Sequence, residues 1–217
     1  MLERMAEFFA ARLKGYDEHM RRNIEGAAEF YPFTASLLPK EAGTQLLDLG
    51  CGTGLELEEY YRQGGEGHVT GVDLSPEMLA ALASKFPGRD LTLIRDSYLE
   101  LPLGERRFDA AVSVESLHHF PPGEKLALYK RLRRALKETG GFVLTDYFAA
   151  SDEEEAGFFA ELAGLRRAQG IGEGTLCHFD TPLTIPHEAE LLRSADFAAV
   201  QVLKSWGATS TLLAVCR

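Results

Sequence analysis

The 217-residue chain is poor in cysteine, in positive charge and in long apolar runs, and each shortage removes a class of protein. Its three cysteines, Cys51, Cys177 and Cys216, are dispersed and form no Cys-x-x-Cys pair. That argues against a disulfide framework or a zinc ribbon and suits a reducing cytoplasm. No stretch reaches the length of a membrane span, and Met1-Leu2-Glu3-Arg4 opens no apolar signal core, so a cytoplasmic protein without membrane contact is expected. With 23 basic against 33 acidic residues the formal charge is −10, which disfavours broad adhesion to nucleic acid; a structured RNA held by a local patch stays open. No repeat or low-complexity segment is visible. The length and a 45% hydrophobic content fit one globular domain with one sizeable core.

What is present is concentrated in Leu46-Leu47-Asp48-Leu49-Gly50-Cys51-Gly52-Thr53-Gly54. A short apolar strand runs through an acid into three glycines within five positions, and a helix opens at Leu55. Glycine tolerates positive φ and has no Cβ, so such a turn lets backbone approach a ligand closely. The helix N-terminus behind it offers unpaired N–H groups to a carboxylate or hydroxyl. A dinucleotide fingerprint places its third glycine where Leu55 stands, and the Gly-Lys-Ser/Thr of a phosphate-binding P-loop is absent.

Two more acids close predicted strands. His68-Val69-Thr70-Gly71-Val72-Asp73 ends in a carboxylate placed to accept both hydroxyls of a ribose. Leu91-Thr92-Leu93-Ile94-Arg95-Asp96-Ser97 ends in Asp96, placed to accept an adenine amino proton. Between them Ser75 is a helix N-cap with Pro76 at the first helical position.

The segments Leu46–Gly54, Val69–Leu79, Arg95–Leu103, Phe108–Phe120 and Gly140–Phe148, in that order, resemble a class I S-adenosylmethionine-dependent methyltransferase. The resemblance covers about residues 44 to 149, and the chain beyond 186 also fits. It implies an α/β, Rossmann-like sheet of seven mostly parallel strands with the last antiparallel, helices on both faces and an N-terminal helical cap. One domain is expected, with a cap over 1–39, a cofactor-binding core over 40–150 and a substrate-side loop and closing strands over 151–217. Position by position, the resemblance implies that Gly50, Gly52 and Gly54, with Cys51 between, cradle the methionine part of S-adenosylmethionine. Asp48 faces its ammonium and Asp73, with Leu74 beside it, binds the ribose. Asp96 and Ser97 flank the adenine, and Glu115 lines the methyl-donor side. S-adenosylhomocysteine is then the product.

Periodicity places strands near 44–49, 68–73, 91–95, 108–114 and 140–148, and helices near 54–63, 76–86 and 123–138. Upstream, Leu2–Lys14 carries Met5, Phe8, Phe9 and Leu13 on one helical face, and a second helix runs from about Asp17 to Phe30, closed by Pro32. Downstream, acids at 152–155 open a helix, a glycine-rich loop spans 170–182 with Cys177-His178-Phe179-Asp180, a short helix covers 186–194, and two β runs lie near 198–205 and 208–216. The basic run Lys125–Lys137 has apolar residues at helical spacing, so it reads as a solvated helix face over a sheet.

Methyl transfer needs a nucleophile, a methyl and a sulfur in line, and a base only where the acceptor must lose a proton. His118, in Ser113-Val114-Glu115-Ser116-Leu117-His118-His119-Phe120, is the candidate general base because imidazole titrates near neutrality. Adjacent His118 and His119 rarely point to one ion and no third ligand is evident, so no metal is expected. This segment departs from the Asn/Asp-Pro-Pro-Tyr/Phe pattern of enzymes that methylate DNA bases and protein glutamines, and resembles members acting on small molecules. Gly15–Met20 through Phe30-Tyr31-Pro32 bears a looser likeness to relatives that include the carboxy-S-adenosylmethionine synthase of transfer-RNA modification, which makes Tyr16 a lid residue near the cofactor. That synthase activity and a non-catalytic S-adenosylmethionine sensor stand as alternatives; acceptor and oligomeric state are not legible.

Overall fold

Successive residues of the strands point to opposite faces, and here both faces are apolar, the mark of a sheet covered on both sides. The computed structural model describes residues 1–172 and 174–217. In chain order its elements are β1 (Glu3–Arg4), α1 (Met5–Arg12), α2 (Tyr16–Asn23), α3 (Ala27–Ser36), β2 (Gln45–Leu49), α4 (Leu55–Arg62), β3 (His68–Asp73) and α5 (Pro76–Lys85). They continue as β4 (Leu91–Arg95), β5 (Phe108–Val114), a 3-10 turn (Leu117–His119), α6 (Pro122–Ala135), β6 (Leu136–Tyr147) and α7 (Asp152–Gln169). The chain ends with β7 (Cys177–His178), α8 (Ile185–Ser194), β8 (Ala199–Trp206) and β9 (Thr209–Val215). No helix among the described residues is long and apolar enough to cross a membrane.

Seven strands form one sheet in the order β4-β3-β2-β5-β6-β9-β8. β2 pairs in parallel with β3 and β5, and β9 lies antiparallel between β6 and β8. Leu46, Val69, Ala110 and Val143 pack under Phe30, Leu57, Tyr60 and Leu82 of α3, α4 and α5. Leu47, Leu49, Ala111, Phe142 and Leu144 pack under Leu128, Leu132 and Leu192 of α6 and α8. The strand order reverses between β2 and β5, which opens a crevice beyond their carboxyl ends, the usual place for a ligand in an open α/β sheet.

The structure corrects several boundaries. The first helix starts only at Met5, because Glu3 and Arg4 pair antiparallel with His178 and Cys177. The expected helix from Asp17 to Phe30 is two helices, broken at Gly26, where φ is +80° and a Cβ would stand 2.4 Å from the Cβ of Trp206. Pro32 lies inside α3 and does not close it; the Pro32 carbonyl accepts from Gln63 Nε2 at 2.9 Å. α6 stops at Ala135, three residues early, and β6 begins at Leu136 through a register shift opposite Phe108 and Ala110.

The basic face of α6 is solvated only in part: Lys130 and Arg134 are exposed, and the other cations are not. Lys125 is buried and donates to Glu188 Oε2 at 2.6 Å, and Arg131 donates to the carbonyls of Tyr98 and Leu99 at 2.9 and 2.5 Å. Arg133 holds the carbonyls of Asp196 and Cys216 at 3.1 Å each. These cations tie α6 to neighbouring segments of the chain.

Candidate active site

The glycine turn is held open by β3. Gly50 and Cys51 both donate to the Val72 carbonyl, at 2.9 and 3.2 Å. Gly52 donates to Asp73 Oδ2 at 2.9 Å and Ser75 to Asp73 Oδ1 at 2.8 Å. Burial pushes the Asp73 carboxyl up and these N–H groups oppose it. At Gly52 a Cβ would meet only the Gly50 carbonyl, 4.0 Å away, so this backbone faces open space; at Gly50 it would strike Ser116 Oγ at 2.1 Å. Gly54 is the N-cap residue of α4. The Cys51 side chain turns inward beneath Gly71 and burial pushes its thiol up, so Cys51 offers the site only its backbone.

Asp48 sits under the turn with 1% exposure, and neither of its carboxylate oxygens has a hydrogen-bond partner among the described residues. Burial, with the charge of Glu56 on the first turn of α4, holds its pKa well above the usual carboxylate range. A carboxyl raised on folding stabilises the fold only while protonated. Stability therefore falls as pH rises from the unfolded carboxylate value, about 3.9, towards the folded one. Asp48→Asn is expected to equal wild type near the bottom of that window and to exceed it by about 1–3 kcal/mol at mildly alkaline pH. Thermal melts of the ligand-free protein across pH test this; a variant less stable at every pH contradicts it.

The third strand end is open to solvent. Asp96 is exposed, and its Oδ1 accepts from the Ser97 N–H at 2.7 Å. Its own N–H donates to the Asp73 carbonyl at 3.2 Å, which ties the two acid-bearing ends together. Leu74 packs at the edge of the core. Tyr98 and Ser116, not singled out in the sequence, close the floor through a 2.8 Å hydroxyl pair.

Beside the turn lies a cavity of about 1030 Å³, walled by Phe9, Tyr16, His19 and Met20 from the N-terminal helices and by Glu115, Tyr147 and Trp206 from the body. Tyr16 lines the cavity, and burial first, then the charges of Glu56, Asp73 and Glu115, push its hydroxyl pKa up. Asp17 fixes α2 over the turn, accepting from Thr53 Oγ1 at 2.5 Å and pairing with Lys85 Nζ at 2.7 Å. α3 is different, since Phe30, Tyr31, Thr34 and Ala35 are buried and Thr34 bonds Thr145 of β6 at 2.5 Å. Residues 27–36 are thus part of the helical layer.

Glu115 directly follows β5 with φ at +48°, a left-handed conformation costly for a non-glycine residue. Thr209 Oγ1 donates to its Oε1 at 3.0 Å, and burial with the nearby Asp146 charge raises it to about 7. His118 Nδ1 lies 2.5 Å from Asp146 Oδ1, and its Nε2 lies 3.5 Å from Asp180 Oδ1. Burial disfavours the charged ring, but the two carboxylates outweigh it and raise His118 to about 10. The two carboxylates engage both ring nitrogens of His118, so as a general base it would have to act from within this cluster. Asp146 was legible by the rule that found Asp48 and Asp73, because it too closes an apolar strand, Phe142–Thr145. His178 and Asp180 gave no such signal and are brought to the site by the pairing of β7 with β1 and by the bonds of Thr181 to the His118 carbonyl.

A family model described as a methyltransferase domain matches residues 46–140, which hold the glycine turn, Asp73, Asp96 and the His118 segment. Over these residues the chain is similar to a methyltransferase domain, in keeping with the motifs of the sequence. An uncharacterised methyltransferase from Synechocystis sp. is 30% identical over 130 residues, 60% of this chain and 59% of that protein. The 27-O-demethylrifamycin SV methyltransferase of Amycolatopsis mediterranei is 29% identical over 147 residues, 65% of this chain and 51% of that one. The chain thus spans about half the length of the curated relatives it matches. In fold it is similar to human N-acetylserotonin methyltransferase, solved with S-adenosylmethionine, at a TM-score of 0.66 and 20% identity over 97% of this chain and 56% of that one.

Proposed function

We propose that the chain transfers the methyl group of S-adenosylmethionine to a small acceptor bound in the cavity beneath α1 and α2. The observation that carries this reading is the approach of α2 to the glycine turn: Tyr16 lines the cavity, and its neighbour Asp17 accepts from Thr53 Oγ1 of the turn. Unpartnered oxygens on Asp48, open space at Gly52 and the crowding of Asp48, Glu56, Asp73 and Glu115 suit a ligand carrying an ammonium and a sulfonium. In this reading the backbone of Gly50, Cys51, Gly52 and Gly54 holds the methionine portion over Asp48. Asp73 accepts the ribose hydroxyls beside Leu74, Asp96 and Ser97 flank the adenine, and Glu115 and Tyr16 face the methyl.

The bound cofactor supplies an electrophilic methyl, so the chain's own work is to align the acceptor and exclude water. Phe9, Tyr16 and Trp206 give the cavity an apolar wall suited to a small organic acceptor, in keeping with the relative named for a rifamycin. The buried free thiols support a reducing, cytoplasmic setting.

Closing over the cofactor would order α1 and α2. Hydrogen exchange with and without S-adenosylhomocysteine is expected to show residues 5–23 gaining protection, while 27–36, already buried, stay protected in both states. Equal protection of 5–23 in the two states would make the cap a fixed buttress and remove the lid role of Tyr16.

A further inference from the structure

One oxygen on the cavity wall faces three imidazole rings. Asp180 Oδ1 lies 3.1 Å from His119 Nδ1, 3.5 Å from His118 Nε2 and 4.0 Å from His178 Nε2. Neither His119 Nδ1 nor Asp180 Oδ1 has a hydrogen-bond partner among the described residues, although the His119 side chain is 4% exposed. Buried polar atoms are almost always satisfied, so an unmet pair aimed at one point calls for a missing partner. In a tetrahedral shell with bonds of about 2.0–2.2 Å, neighbouring donor atoms stand about 3–3.5 Å apart. His119 Nδ1 and His118 Nε2 already stand at that spacing from Asp180 Oδ1, whereas His178 Nε2 lies farther out and its ring must move inward to complete the shell.

We propose that His118, His119, His178 and Asp180 bind one divalent first-row transition cation, of the zinc class, at the wall of the acceptor cavity. Three imidazoles and one carboxylate are the borderline donor set such ions prefer over calcium or magnesium, which take oxygen shells. The outer partners are also in place. Asp146 Oδ1 engages His118 Nδ1 at 2.5 Å, which turns Nε2 towards the centre as the carboxylates behind metal-bound histidines do. Phe8 stacks flat on His178, centroids 3.5 Å apart and 7° between planes. Thr181 donates its N–H to the His118 carbonyl at 2.8 Å and its hydroxyl at 3.2 Å, so the loop and the 3-10 turn hold each other. Glu115, Asp146 and Asp180 also crowd three carboxylates around these rings, an excess of negative charge that a dication offsets. The third ligand that the adjacent histidines lack in the sequence arrives from the 177–180 segment. The inference does not depend on methyl transfer.

The test is titration of chelator-dialysed full-length protein with Co²⁺, followed by its visible d–d absorption, and displacement by Zn²⁺. One equivalent is expected to give the spectrum of a four-coordinate, nitrogen-rich site. His178→Ala and Asp180→Asn should each weaken binding by more than the about 10- to 100-fold that loss of an outer partner costs, and Asp146→Asn should fall within that range. His187→Ala, whose ring pairs with Glu155 away from the cavity, should bind as wild type. Absence of stoichiometric Co²⁺ binding, or unchanged affinity in both His178→Ala and Asp180→Asn, overturns the proposal and leaves an ion-pair cluster that pins the loop. Should those variants fail to fold, imidazole NMR of the wild type decides. Zn²⁺ must move the resonances of His118, His119 and His178 and leave those of His19, His68 and His187; the converse pattern overturns it.

Discussion

Replacing Asp73 by alanine is expected to lower affinity for S-adenosylhomocysteine about 30- to 700-fold. The carboxylate already accepts from Gly52 and Ser75, one N–H to each oxygen. Each oxygen has a second lone pair, so a ribose diol can be held while both backbone bonds persist. Two hydroxyl bonds to a charged acceptor, at about 1.5–3 kcal/mol each less solvent compensation, give a loss of about 2–4 kcal/mol, and each 1.4 kcal/mol is tenfold. The alanine also frees the Gly52 N–H, so the turn itself loosens and the effect should lie towards the upper end. Asp73→Asn keeps one acceptor oxygen and should fall between. Titration of all three proteins, with melts to confirm folding, reads the series; equal affinity of Asp73→Ala and wild type would remove Asp73 from the site.

The second large effect is on stability. Lys125 and Glu188 join α6 to α8 with side chains 2% and 0% exposed, and the Tyr129 hydroxyl donates to the second carboxylate oxygen. Removing one partner leaves a charge buried and uncompensated, which costs about 3–5 kcal/mol. At about 2–4 °C per kcal/mol for a chain of this size, Glu188→Ala should lower Tm by about 6–20 °C. The pair Lys125→Met with Glu188→Leu removes both charges and should recover most of that loss. A double variant as unstable as Glu188→Ala would contradict the desolvation argument.

The parts of the fold legible in the sequence are those where local signals agree. The apolar, β-branched strands at 68–73 and 91–95 and the Ser75-Pro76 start of α5 emerge where expected because propensity, cap and burial favour the same state. The misplacements fall where a distant partner decides. Trp206 lies 180 residues beyond Gly26, yet it is what the Gly26 break accommodates. Glu188 draws Lys125 into the core of a face that reads as solvated. At the candidate site the same division holds. Asp48, Asp73 and Asp96 are visible because each stands at the end of its own strand, while the acid partners of His118 come from β6 and from the 177–182 loop.

Whether the crevice beyond β2 and β3 holds S-adenosylmethionine is read by calorimetric titration of the wild-type chain with S-adenosylhomocysteine and, in parallel, with NAD. Saturable binding of S-adenosylhomocysteine at one site per chain and no saturable heat with NAD are expected. Tight NAD binding, or no binding of S-adenosylhomocysteine by folded protein, would contradict that reading.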